Sequence, residues 1–165
     1  VTNDERSRGR KSPTKAELDA WRTYIESAEV LRRTLAAGLQ ESSGISPGDY
    51  AVLLALDEAD DHRLRSSALA DAVGWERSRL SHHLRRMEER GLVSRSRGGA
   101  DSRAADCELT EAGASLFRSS SASHLRLVRE LFVDALTPAQ LGAAHEVATR
   151  LREHLEPRST PVTDA

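Results

Sequence analysis

Residues 77–93 read Arg77-Ser78-Arg79-Leu80-Ser81-His82-His83-Leu84-Arg85-Arg86-Met87-Glu88-Glu89-Arg90-Gly91-Leu92-Val93. Leu80, Leu84 and Met87 recur at steps of four and three, which puts them on one stripe of an α-helix. The spacing predicts a helix over 76–90, stopped by Gly91, a residue suited to the left-handed cap. The remaining arc carries Arg77, Ser78, Arg79, Ser81, His82, Arg85 and Arg86. Just upstream, residues 68–73 form a second short helix, with Ser66 or Ser67 as cap and Gly74 as stop. Just downstream, residues 92–97 read as a strand, Gly98-Gly99-Ala100-Asp101 as a turn, and residues 103–109 as the returning strand. Two short helices, the second basic and followed by a two-stranded hairpin, make a winged helix-turn-helix.

Long helices flank this unit. Thr14 with Glu17 has the capping-box spacing, and Leu18, Trp21, Ile25, Ala28, Leu31, Leu35 and Leu39 then fall on one stripe. Ser43-Gly44 stops that helix, and Ser46-Pro47 starts another, with proline in the first turn. Thr110 caps a helix expected over 111–136, and Thr137-Pro138 opens the last one. In that last helix Leu141, Ala144, Ala148, Leu151 and Leu155 repeat as a seam for a partner helix. The fold class expected is mainly α, with a two-stranded β wing and N- and C-terminal helices forming a dimerisation domain. The expected organisation is a disordered tail over 1–13, a DNA-binding domain over 44–110, dimerisation helices over 14–43 and 111–155, and a second disordered tail over 156–165.

The 165 residues carry a formal net charge of only −2, which taken globally argues against a nucleic-acid partner. The distribution reverses that reading, because residues 62–103 hold ten arginines against five acids, +5 against −7 elsewhere. Scattered arginines on a solvated face are the plainer alternative. Only 38% of the residues are hydrophobic and 4% aromatic, a lean core that suits a chain burying more surface on pairing. No apolar run approaches a membrane span, and residues 1–13 lack the apolar region of a secretory leader, so a cytoplasmic protein is expected.

The sequence resembles the bacterial MarR family of winged helix-turn-helix regulators, on motifs kept in register. Leu69-Ala70-Asp71-Ala72-Val73-Gly74 looks like the family's first motif helix, and residues 78–93 like its recognition helix and wing entry. Asp101-Ser102-Arg103 matches the wing's Asp-Arg-Arg with serine in the middle, which removes one potential phosphate contact. Leu109-Thr110-Glu111-Ala112-Gly113 matches the "Leu-Thr-x-x-Gly" that opens the next helix. The resemblance covers residues 16–155 and implies a homodimeric, sequence-specific DNA-binding transcriptional regulator, usually a ligand-responsive repressor, on a pseudo-palindromic site in double-stranded DNA.

It also implies roles for residues. Arg103 would enter the minor groove with Asp101 orienting it, where a narrow groove concentrates negative potential. Arg95 and Arg97 share strand parity and would meet the DNA backbone together. A small effector, phenolic or another small anion, would sit near Trp21, Arg22, Tyr24 and Ile25. Trp21 lies on the apolar stripe, so core packing is its favoured role. Urate-binding relatives pair a tryptophan with an aspartate, a position for which Asp49 and Asp57 compete.

Other chemistries find little support. No serine sits in Gly-x-Ser-x-Gly and no glycine-rich phosphate loop follows a strand, so no enzyme, catalytic residue or cofactor is expected. The six histidines form no spacing suited to a metal. Cys107, the lone cysteine, reads as a small core hydrophobe where the family usually has valine. A winged-helix module docking onto protein instead of DNA is the alternative, and the ten arginines oppose it.

Overall fold

Thr14 opens the first helix, α1 (Lys15–Ser43), through a reciprocal pair of bonds. Its Oγ1 accepts from the Glu17 N–H at 3.3 Å, and Glu17 Oε2 accepts from the Thr14 N–H at 2.6 Å. The computed structural model describes residues 12–97 and 105–155. The expectations for residues 1–11, for the turn 98–101 with Asp101 and Arg103, and for 156–165 lie outside the described residues. Gly44 ends α1 at φ +65°, a left-handed conformation that a side chain disfavours. Ser46 and Pro47 then start α2 (Pro47–Asp57) as their spacing predicts.

A 3-10 turn (Asp60–His62) leads into strand β1 (Arg63–Arg65), helix α3 (Ser66–Val73), helix α4 (Arg77–Glu89), and strands β2 (Val93–Arg97) and β3 (Ala105–Leu109). The sheet has three antiparallel strands in the order β1-β3-β2, not the expected two. The missed strand is only Arg-Leu-Arg, too short to show a period of two. It exists because Leu64 pairs with the distant Cys107. Ser66 and Ser67 are not caps either. Arg65 holds the N-cap position with no side-chain bond, and Ser66 lies inside the helix, its Oγ 3.5 Å from Cys107 Sγ.

The core gathers where α2, α3, α4 and the sheet meet. Leu80, Leu84 and Met87 of α4 are buried with Val52, Leu53 and Leu56 of α2, Leu69 of α3, and Val93, Cys107 and Leu109 of the sheet. Truncating one such leucine to alanine costs about 2–5 kcal/mol. The Leu-Thr-x-x-Gly motif now has a mechanical meaning. Thr110 Oγ1 donates to Gly91 O at 2.7 Å and accepts from the Gly113 N–H at 3.0 Å, capping helix α5 (Glu111–Val128). Gly113 itself passes so near the Leu92 carbonyl that a Cβ would overlap it.

The helix expected to run to residue 136 is shorter. After Val128 the hydrogen bonding shifts to a π-turn (Arg129–Val133), with the Asp134 N–H donating to Arg129 O at 2.8 Å. Thr137 and Gln140 then cap helix α6 (Pro138–Leu155) reciprocally. The chain divides into two units, one ending at His124 and the other beginning at Leu125. Among the described residues every buried side chain belongs to the first, and α6 has none. Trp21 departs from its expected core role, since it is 61% exposed and only Leu39 of α1 is buried. The stripe on α1 is apolar, but little in the single chain covers it. No helix among the described residues is long and apolar enough to cross a membrane.

Candidate nucleic-acid interface

Helix α4 turns its leucines and Met87 inward and leaves the opposite arc in solvent. Arg77, Ser78, Arg79, Ser81, His82, Arg85 and Arg86 are all exposed, as the spacing predicts. The nearby ion pairs take other arginines: Arg63 with Glu108 at 3.0 Å, Arg90 with Asp49 at 2.9 Å, and Arg95 with Glu88 at 2.6 Å. Among the described residues Arg77, Arg79, Arg85 and Arg86 have no acidic partner. Four guanidinium charges on one helical face are therefore left without a neutralising carboxylate and can meet an external anion.

Arg95 is placed differently from the expectation. Its parity puts it opposite buried Cys107, on the side of the sheet facing α4, where Glu88 takes it. It belongs to the packing of the wing and is not among the outward cations. Arg97 pairs with Ala105 at the last described rung of the hairpin.

Beneath the arc lies a polar node that the sequence did not reveal. Asp49, in the first turn of α2, is only 5% exposed. Its Oδ2 accepts from the Ser46 N–H at 3.0 Å and from Arg90 Nη1 at 2.9 Å, while Arg90 Nη2 donates to Gly44 O at 3.3 Å. His83 Nε2 stands 2.9 Å from Asp49 Oδ1, a close contact whose angle falls short of a hydrogen bond. Burial raises the Asp49 pKa, but the bond from Ser46 and the charge and bond of Arg90 outweigh it, so the carboxyl sits below its ordinary value. Burial holds the His83 imidazole below the ordinary histidine value, Arg86 and Arg79 push the same way, and Asp49 opposes them without prevailing.

Trp75, in the turn between α3 and α4, meets His83 edge-on with ring centroids 5.0 Å apart. Arg79 lies over the indole at 4.3 Å from its centroid. This stack fits because residue 48 is glycine. A Cβ there would press on Trp75 at 2.8 Å and on His83 at 3.0 Å. On the outer side, Arg86 Nη2 reaches His83 Nδ1 at 3.2 Å, and Arg85 Nη2 reaches His82 Nδ1 at 3.5 Å.

The remaining candidates are dispersed. Trp21, Tyr24 and Ile25 are exposed on α1, the latter two at 47%. His124 packs on Tyr50 with centroids 4.7 Å apart, its Nδ1 buried without a hydrogen-bond partner and its pKa lowered by burial. Cys107 is fully buried and burial raises its thiol pKa, so it packs as a neutral group.

A family model described as MarR family matches residues 43–104, from the last residue of α1 to the residue before β3. The crystal structure of AbsC, a MarR family transcriptional regulator from Streptomyces coelicolor, superposes with a TM-score of 0.83. It is 36% identical in sequence, and the match covers 88% of this chain and 98% of that one. The chain belongs to the MarR family of transcriptional regulators. A second MarR family regulator from the same organism, Sco3205, was solved in complex with DNA and superposes at a TM-score of 0.84, 35% identical over 89% of this chain and 96% of that one. The Bacillus subtilis HTH-type regulator YdgJ is 25% identical over 136 residues, 79% of this chain and 81% of that protein.

Within this MarR chain the unforeseen features are the contacts that Asp49, Trp75, His83 and Arg90 make in this node. Ser46 as the cap of α2 was visible in the sequence, and the structure completes it as a capping box with Asp49. That the same carboxylate also holds Arg90 and His83 was not, since both lie more than thirty residues away.

Proposed function

We propose that this MarR family chain binds a pseudo-palindromic operator as a homodimer, lays α4 in the major groove, and represses transcription until a small effector intervenes. The observation that carries the reading is the arc of Arg77, Arg79, Arg85 and Arg86, exposed and without acidic partners among the described residues, opposite a fully buried stripe. Arginine bridges guanine O6 and N7 or grips phosphate, and Ser78, Ser81 and His82 add shorter contacts. That the relative Sco3205 was solved in complex with DNA supports DNA binding by similarity. In the same reading Arg103, oriented by Asp101, enters the minor groove, and Arg97 meets the backbone. The exposed apolar face of α1 and the seam of α6 pair with a second copy. Trp21, Tyr24 and Ile25 are the candidates for contact with a phenolic or other small anionic effector.

The test is binding to a duplex that the protein selects from a random-sequence pool, followed by fluorescence anisotropy over a range of salt. Affinity falls steeply with salt when several phosphates are neutralised, with a log–log slope of roughly −0.9 per phosphate. A flat response, or no enrichment of any duplex, contradicts the reading.

A further inference from the structure

We infer that the first turn of α2 is the seat that aims the reading side chains of α4, with Trp75 and His83 as positioning residues between them. The inference rests on the DNA-reading role proposed for α4 and deepens it. Two of the arc's arginines, Arg79 and Arg86, touch inner residues that are themselves fixed from below. Trp75 fills the notch above Gly48 and carries Arg79 on its face. His83 stands against Asp49 and meets Arg86 with its other ring nitrogen. Asp49 in turn is fixed by its own capping box and by Arg90, the residue that ends α4. One carboxylate thus bonds to the end of α4 through Arg90 and stands against its middle at His83.

The arrangement dictates a tautomer. An arginine can only donate, so His83 Nδ1 accepts from Arg86, and the ring proton lies on Nε2 facing the Asp49 carboxylate. The charged groups facing His83 are Asp49 from α2 and Arg79 and Arg86 from α4, while Trp75 and Gly48 adjoin it without charge. A second proton would land on Nδ1. That removes the acceptor from Arg86 and sets a like charge against it, while Asp49 keeps its hold. Acidification therefore releases Arg86 from its aim without releasing α4 from its seat. Lost aim appears in discrimination between sequences. Gross affinity responds differently, because the charge gained on His83 attracts any duplex equally.

The experiment measures the ratio of affinities for the selected duplex and a scrambled one, at constant ionic strength, from about pH 7.5 to about pH 5.5. Wild type should lose discrimination as His83 takes up its proton, by about tenfold once protonation is complete, the scale of one well-placed arginine contact. His83→Gln, whose amide offers an acceptor to Arg86 and a donor to Asp49 at every pH, should keep the neutral ratio and hold it flat. His83→Ala should show the lowered ratio throughout. Trp75→Leu should lower the ratio at all pH, and Trp75→Phe, which restores a ring face for Arg79, should recover most of it. A wild-type ratio that stays level while the 15N shifts of His83 report its protonation, or a His83→Gln variant that titrates like wild type, overturns the inference alone. Absence of any sequence preference in the wild type at neutral pH overturns the DNA-reading proposal with it. The 15N imidazole shifts of wild-type His83 give an independent reading that needs no variant. The Nε2–H form is expected, and the Nδ1–H form overturns the inference.

Discussion

Arg95 Nε and Nη2 both donate to a single oxygen, Glu88 Oε2, at 2.8 and 2.6 Å, and so tie strand β2 to the end of helix α4. The pair is about one-third exposed on each side. Arg95→Ala should therefore lower stability by about 1 kcal/mol, above an exposed surface pair and below a buried one. It should leave the salt slope of DNA binding nearly unchanged, whereas Arg85→Ala should reduce that slope by about one phosphate's worth. Urea melts and salt titrations of the two variants check both halves, and a reversed pattern would return Arg95 to the interface.

Arg103→Ala tests the wing. If Arg103 sits in the minor groove, the affinity for the selected duplex drops more than about tenfold, the scale of one specific contact. An unchanged affinity removes the wing from the mechanism and leaves α4 to account for recognition.

Gly113→Ala should destabilise the fold by about 1–3 kcal/mol, because the new methyl must displace the Leu92 carbonyl or the start of α5. Thr110→Ala should cost about 1–2 kcal/mol through loss of the cap. Urea midpoints give both values. A neutral Gly113→Ala would mean that α5 does not approach the wing entry as closely as described.

Acid should destabilise the protein in two stages. His83 and His124 have lowered pKa values, both chiefly through burial, so the unfolded chain takes up their protons first. Their contribution is complete above about pH 6.5 and is lost as pH falls through their folded values. The Asp49 carboxyl, despite the upward push of burial, is also lowered by its bonds to Ser46 and Arg90. Its contribution is complete above about pH 4 and disappears below its folded value. Urea midpoints should stay level from about pH 8 to 7 and decline in two steps, and His124→Phe should shrink the first. A midpoint that climbs on acidification to about pH 5.5 would contradict the assignment.

Ile25→Asp should shift the protein toward monomer in sedimentation velocity, since Ile25 and Trp21 are exposed on an apolar stripe with little of this chain to cover it. An unchanged sedimentation coefficient would show that α1 does not carry the association.

What the sequence disclosed was local. Thr14 with Glu17, Ser46 with Pro47 and the three glycines at positive φ each act within a few residues of themselves, and each was readable from the sequence. The burial of Leu80, Leu84 and Met87 followed from helical period alone. What stayed hidden depends on partners distant in sequence. β1 exists only through β3, and the roles of Asp49 and His83 exist only once α2 and α4 are packed. Arg95 is the instructive middle case. Alternation along β2 gives its parity, but which side of the sheet faces α4 is fixed only by packing, and that side holds Glu88.

The third strand also bears on solubility. With β1 on one side and β2 on the other, β3 has both of its edges paired, so it offers no open backbone to a neighbouring molecule. The open edges fall to β1 and β2, which are only three and five residues long. Edges this short give a neighbouring chain little to pair with, which disfavours strand-by-strand aggregation of the concentrated protein.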